Sequence, residues 1–363
     1  MYVKSLELSN FRNYDTLSIS FKNGTNILYG DNAQGKTNIL EAVYLAGTTK
    51  SHKGSKDKEM IRLSQEESHI RMFIEKNLIV HRIDMHLKKS KPKGVAIDGI
   101  PIKKSSELFG LINLVFFSPE DLSIIKNGPS DRRRFIDFEL CQLDKLYLSD
   151  LTNYNKIINQ RNNLLKQIGF KPELMETLSI WDMQLCEYGK RIINRRMQFI
   201  LELNEIVYNI HKRLSGDKEE LVVKYEPNVL SEDIETKIVK QREKDIYYKQ
   251  TSVGPHRDDI CFTIKDVDIR KYGSQGQQRT SALSLKLAEI ELVRQTIKDE
   301  PILLLDDVLS ELDRNRQNYL LNSIEGIQTM ITCTGLEEFV TNRFHIDQLY
   351  KVVEGSVTAE NGS

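Results

Sequence analysis

Gly30-Asp31-Asn32-Ala33-Gln34-Gly35-Lys36-Thr37 is the stretch on which the reading of this 363-residue chain turns. It fits the spacing GxxxxGK[ST], and its surroundings fit as well. Ile27-Leu28-Tyr29 before it reads as a short buried strand, and Ile39, Leu40, Val43 and Tyr44 after it recur at helical spacing. A loop of small, φ-permissive residues between strand and helix lets successive backbone N–H groups point at phosphate oxygens, and the helix adds its positive end. Gly30 through Thr37 are therefore expected to bind ATP, Lys36 bridging the β- and γ-phosphates and the Thr37 hydroxyl ligating Mg²⁺. Average residue frequencies produce such a match by chance in only about one chain in a hundred of this length.

Working outward, Leu6 and Leu8, then Leu17, Ile19 and Phe21, alternate with polar residues as strands do, with a turn at Asn13-Tyr14-Asp15. Residues 70–104 read as further antiparallel strands. From Asp131 to Arg213 the period changes to helical. Leu140, Leu143, Leu146, Leu151, Tyr154, Ile157 and Ile158 form one stripe, Gly169-Phe170-Lys171-Pro172 breaks it, and Leu178 through Ile206 resume it. Two long helices around that break predict an antiparallel arm, since strict heptads are not sustained. After a polar linker at Ser215-Glu220 and mixed sequence, strands are expected again near residue 250.

A phosphate loop needs an acidic residue at the end of another buried strand. Pro301-Ile302-Leu303-Leu304-Leu305-Asp306-Asp307 supplies it, with Asp306 as the expected Mg²⁺ ligand and Asp307 orienting the attacking water. Some thirty residues earlier, Tyr272-Gly273-Ser274-Gln275-Gly276-Gln277-Gln278 opens a helix. Alone it is a helix-capping loop. In this order and spacing it resembles the Ser-Gly-Gly-Gln signature of ABC-type ATPases, with Gln275 in place of the first Gly; Ser274, Gly276 and Gln277 would then make a second phosphate cradle, which makes sense only over the phosphate loop of another subunit.

Composition names no partner. Basic and acidic residues number 52 each, so the sum carries no nucleic-acid footprint, although a local basic face could. Cys141, Cys186, Cys261 and Cys333 are scattered without CxxC pairs, which favours buried thiols in a reducing compartment. No apolar run approaches a membrane span and Met1-Leu6 lacks a signal-peptide core, so a cytoplasmic protein is expected.

The four elements together, with Ser310-Glu311-Leu312-Asp313 in the place of a D-loop, resemble the ABC-type ATPases. The wide separation of the two Walker elements by a helical insertion resembles the SMC/Rad50 group of DNA-repair ATPases. Leu6-Glu7-Leu8-Ser9-Asn10-Phe11-Arg12-Asn13-Tyr14, Phe117-Ser118-Pro119-Glu120-Asp121-Leu122, Pro129 through Asp137 and Gly254-Pro255-His256-Arg257-Asp258-Asp259 narrow the resemblance to the RecF family. The resemblance implies an α/β, Rad50-like P-loop ATPase head with a helical lobe II arm. The head is expected at residues 1–115 and 251–363, the arm at 116–250. It also implies an ATP-dependent homodimer on duplex or gapped DNA without sequence preference. The family works with the RecR and RecO mediators to load the RecA recombinase at single-strand gaps, with slow, DNA-stimulated hydrolysis.

Three departures from the wider ABC pattern bear on turnover. Asp307 stands where most carry Glu, no Gln marks a Q-loop (Ser118-Pro119-Glu120 is the substitute), and Thr332 or Thr334 stands for the switch His. Lys88-Lys93 with Lys103-Lys104, Arg132-Arg134, and Lys190-Arg191 with Arg195-Arg196 are the candidate DNA-phosphate contacts. Two rival readings are a transporter-type ABC subunit, disfavoured by the Walker spacing and the arm, and a nonenzymatic adaptor with ATP as a structural ligand.

Overall fold

A computed structural model describes residues 1–104, 107–336 and 344–360. The chain opens with β1 (Tyr2–Phe11), β2 (Tyr14–Ser20), β3 (Thr25–Tyr29), α1 (Lys36–Thr48), α2 (Asp57–Met60), β4 (Glu67–Lys76), β5 (Ile79–Lys88), β6 (Gly94–Ile97), β7 (Ile100–Pro101) and β8 (Leu114–Phe117). The middle holds α3 (Leu122–Lys126), α4 (Pro129–Leu143), α5 (Lys145–Ile168), α6 (Leu178–Leu214), β9 (Leu221–Glu226), α7 (Ile234–Lys240) and α8 (Arg242–Tyr248). It continues with β10 (Asp259–Ile264), β11 (Val267–Asp268), α9 (Ile269–Tyr272) and α10 (Gln275–Ile297). The end is β12 (Ile302–Asp306), α11 (Arg314–Ser323), β13 (Thr329–Cys333), β14 (Gln348–Val353) and β15 (Ser356–Glu360). Contacts divide it into two compact units, Met1–Asp121 with Glu289–Ser363, and Leu122–Ala288.

The first unit has two six-stranded sheets. One is antiparallel, in the order β2-β1-β4-β5-β6-β7. Its strands alternate as a half-covered sheet should: Ser68, Ile70, Met72 and Ile74 are buried along β4, whereas Glu67, His69 and Arg71 face out. The other has the order β15-β14-β3-β13-β12-β8, parallel except for the β14–β15 hairpin. Every residue of β12 and β13 is buried, the expected state of a strand covered on both faces. Helix α1 contacts β4 and β5 of one sheet and β8, β12 and β13 of the other, which is why eleven residues from Lys36 to Thr48 are buried.

The second unit is built on α5 and α6, which pack together after the Gly169–Thr177 break. At 37 residues α6 spans about 55 Å. Its buried positions Leu185, Gly189, Ile192, Arg196, Phe199, Leu203 and Val207 recur every three or four residues. Leu146, counted from sequence as part of the apolar stripe, is 78% exposed. It sits beside Asp144, whose carboxylate caps α5 by accepting from the Leu146 and Tyr147 N–H groups, so the stripe starts one residue later.

Two further features differ from expectation. Strand β9 lies in the stretch read as mixed sequence, and it pairs along its length with β10. The contact boundary falls at Ala288, inside α10, rather than at residue 250. Residues 251–288 group with the helices because β10 completes a three-stranded sheet with β9 and β11, and because Asp258 and Asp259 take ion pairs from Arg196 and Arg132.

Candidate functional site

The parallel sheet brings three strand ends level. Asp306 of β12 is opposite Thr332 of β13, and Thr332 is opposite Leu28 of β3. Chain segments leaving the carboxyl ends of parallel strands frame the usual crevice for a ligand, and Gly30–Gly35 and Asp307 both begin there.

The loop is held open by packing from behind. Gly30 has φ 147° and Gly35 has φ 113°, both in the region that favours glycine. A Cβ on Gly30 would lie 2.3 Å from the Val352 carbonyl oxygen, and one on Gly35 would lie 2.8 Å from Tyr14 Oη. Tyr14 Oη donates to the Gly35 carbonyl (3.1 Å) and Asn13 Nδ2 to that of Gln34 (3.1 Å). Gln34 Oε1 in turn accepts from Glu354 N. Asp31, Asn32 and Ala33 are left exposed at the rim. Lys36 Nζ donates to the carbonyls of Gly30 (2.6 Å) and Asp31 (2.7 Å), so the ammonium already lies across the loop. Burial pushes the Lys36 ammonium down, opposed by the nearby Cys333, Asp307, Asp306 and Asp31.

Thr37, Asp306, Thr332 and Asp307 form one hydrogen-bonded chain. Thr37 Oγ1 and Thr332 Oγ1 both donate to Asp306 Oδ1, each at 2.7 Å, and Thr332 Oγ1 accepts from Asp307 N at 3.0 Å. That last bond helps hold Asp307 at φ 53°, a left-handed conformation uncommon outside glycine. Two cis ligands of an octahedral Mg²⁺ stand about 2.9 Å apart, so the Thr37 and Asp306 oxygens have the spacing and hardness that this ion takes. Among the described residues, neither Asp306 nor Asp307 has an ion pair with a basic side chain. Ser310 Oγ donates to the Asp307 carbonyl (2.9 Å), tying the expected D-loop to the acidic strand end.

Ser274, Gly276 and Gln277 lie in the second unit, at the start of α10. Ser274 Oγ accepts from Gln277 N (3.2 Å) while Gln277 Oε1 accepts from Ser274 N (2.9 Å), a capping box. Gln277 Nε2 also donates to Glu219 Oε1 (2.8 Å). Ser274 and Gly276 are exposed at the helix N-terminus.

Two residues of the candidate DNA-binding clusters are buried, and others form exposed ion pairs. Arg132 and Arg196 are each 2% exposed. Arg132 grips Asp259 with two bonds, and Arg196 reaches Asp137, Asp258 and the Pro255 carbonyl. Arg195 pairs with Asp144, Arg191 with Asp150, and Lys190 with Glu235. Lys88 and Lys89 pair with Glu67 and Glu66, and Lys93 with Asp57. Buried guanidinium groups in full ion pairs are structural, and no duplex can reach them.

Sequence reasoning attached no role to Asn13 and Tyr14, although it quoted their run, and overlooked the 352–355 turn behind Gly30. It also missed Arg12, which makes a two-pronged ion pair with Glu41 of α1 (2.7 and 2.8 Å). Burial pushes the Glu41 carboxyl up, but the Arg12 and Ser51 hydrogen bonds outweigh it and hold the group below its ordinary range. The Gly254–Asp259 run is a hub of the second unit. Besides the two aspartates, His256 Nδ1 meets Tyr154 Oη at 2.7 Å and Arg257 donates to the Thr251 carbonyl. The Ser118 N–H donates to the Asp121 carboxylate (2.7 Å), closing the turn after β8.

The sequence profile described as the RecF/RecN/SMC N terminal domain matches residues 2–358. A protein of Lachnoclostridium phytofermentans named DNA replication and repair protein RecF is 68% identical over 98% of this chain and 99% of its own. A solved structure of the recombination mediator protein RecF with ATP, in the RecFOR pathway, superposes with a TM-score of 0.93 at 36% identity, covering 99% and 97% of the two chains. An SMC head, bound in its own crystal to the winged-helix domain of ScpA, superposes at 0.59 with 15% identity over 99% of this chain and 98% of that one, a likeness of fold. No helix among the described residues is long and apolar enough to cross a membrane. With a profile matched almost from end to end and two-thirds identity to a named relative, the chain belongs to the RecF branch of the RecF/RecN/SMC family.

Proposed function

We propose that this chain is an ATP-gated DNA clamp of the cytoplasm, acting in replication and repair with RecR and RecO to load RecA at single-strand gaps. The observation that supports it most is the Thr37–Asp306–Thr332–Asp307 chain beside a loop pinned from behind. The Gly30–Gly35 N–H groups and Lys36 bind the phosphates. Thr37 and Asp306 hold Mg²⁺, which when bound neutralises charge on the β- and γ-phosphate oxygens. Asp307 orients the attacking water from its fixed left-handed position, and its short side chain suits slow turnover. Ser274, Gly276 and Gln277 cap the γ-phosphate held by a second copy, the exposed end of α10 supplying N–H groups and dipole. Lys91, Lys103 and Lys104, without ion pairs among the described residues, remain for sequence-independent phosphate contact.

Light scattering with ATP and Mg²⁺, with and without gapped duplex, tests this. A dimer should form with ATP and persist on DNA. Ser274→Arg should bind ATP as before and stay monomeric, and an ATP-driven dimer of that variant would refute the shared site. Phosphate release unchanged by DNA would favour the adaptor reading.

A further inference from the structure

Among the described residues, one cluster of potential metal ligands lies outside the nucleotide site. On the outward face of the antiparallel sheet, His69 of β4 stands directly opposite His86 of β5, and Glu67 lies two residues along β4 on the same face. The two imidazole rings stack with centroids 3.9 Å apart and planes inclined by 23°. His86 Nε2 is 3.1 Å from Glu67 Oε2, and His69 Nε2 is 3.9 Å from Glu67 Oε1. One ligand atom from each of the three residues lies within 4.8 Å of the other two. Ligands of a tetrahedral Zn²⁺ stand about 3.3 Å apart, so small side-chain rotations suffice and no backbone need move.

We propose that Glu67, His69 and His86 form a surface site for a borderline divalent transition metal, Zn²⁺ being the best match for two imidazoles and a carboxylate. His69 and His86 line a groove of about 510 Å³ together with Glu7, Ser9, Arg71 and Asp84. Lys88 opposes the metal. Its ammonium is 3.1 Å from the same Glu67 oxygen that His86 approaches, and metal binding must displace it.

The test is a Zn²⁺ titration of the full-length protein, free of nucleotide and Mg²⁺, against a chromophoric chelator. One equivalent should bind. His69→Ala and His86→Ala should each weaken binding by about tenfold or more. Lys88→Met should tighten it by removing the competing cation. Cu²⁺ loaded in place of Zn²⁺ should show nitrogen ligation by electron paramagnetic resonance, lost in either His variant. Far-UV circular dichroism without metal controls for folding, and His69→Gln provides a second, milder variant. Absence of binding, affinity unchanged in both His variants, or sulfur ligation from the cysteines would each overturn the proposal.

Discussion

Asp306 of the first unit is held in the opposite way to the arginine-paired aspartates of the second, although the first unit also has a guanidinium-held carboxylate in Glu41. In the second unit, Arg161, which is fully buried, takes Asp182 and Asp245 at 2.7 Å each, and Arg196 takes Asp137 and Asp258. Every one of those negative charges has a guanidinium against it. In the first unit Asp306 is 7% exposed, yet its near partners are the hydroxyls of Thr37 and Thr332. Hydroxyls orient a carboxylate without neutralising it. The first arrangement fixes a fold, and the second, on the proposed function, leaves a carboxylate for Mg²⁺. A buried ion pair is costly to break and a hydroxyl-held carboxylate is costly only to fill wrongly, so the comparison makes separable predictions.

The largest effect is expected at Arg161. Arg161→Ala leaves Asp245 buried without its cation and Asp182 with Arg242 alone, and should destabilise by about 3–5 kcal/mol, measured by urea unfolding. Asp306→Asn keeps an oxygen for both hydroxyls and should change stability by less than about 1 kcal/mol while abolishing Mg²⁺-dependent ATP hydrolysis. If Asp306→Asn were the more destabilising of the two, the distinction between structural and reserved carboxylates would collapse.

An intermediate effect is expected at Thr332. Thr332→Val removes the hydroxyl that serves Asp306 and the Asp307 N–H together, leaving a donor and an acceptor short of a partner. The loss should be about 1–2 kcal/mol by the same unfolding measurement. Hydrolysis should drop several-fold with ATP affinity nearly unchanged, because the phosphate loop is pinned by Tyr14, Asn13 and Gln34 rather than by Thr332. Equal losses in affinity and turnover would show that Thr332 holds the loop as well.

How much of this was legible in the sequence follows from the range of each interaction. Gly30–Thr37 and Ile302–Asp307 are local patterns, each a strand with a loop at its end, and they announce themselves. The pairing of Asp306 with Thr332 joins strands through a parallel register that no local pattern encodes. Tyr14 reaches Gly35 across 21 residues, and Arg132 reaches Asp259 across 127. An arginine run looks the same from sequence whether it faces solvent or an aspartate, so Arg132 and Arg196 were read as DNA contacts when they are buried braces. Strand β9 was missed because its partner β10 lies beyond two helices.

The smallest effect compares one histidine from each unit. Burial pushes His52, stacked on Phe116 at 3.9 Å, down to about 4, and it does the same to His256. His256 Nε2 meets the Thr251 carbonyl at 3.1 Å, so Nδ1 is the acceptor for the Tyr154 hydroxyl, and a proton there would end that bond. The unfolded chain takes up these protons near pH 6.5 and the folded chain only near pH 4. Between those values the unfolded state holds more protons, so stability falls as pH falls. From pH 7.5 to 5.5 each histidine should account for about 1 kcal/mol. Coulombic neighbours differ between the two: Glu41 and Asp306 favour protonated His52 against Lys53 and Arg12, whereas Arg257, Arg133 and Arg196 all oppose protonation of His256. His256→Gln keeps a donor and an acceptor but cannot titrate, so its unfolding free energy should lose about 1 kcal/mol less than the parent over that interval. An undiminished loss would mean that His256 takes up its proton in the folded chain as readily as in the unfolded one, and that the pH sensitivity resides in other groups.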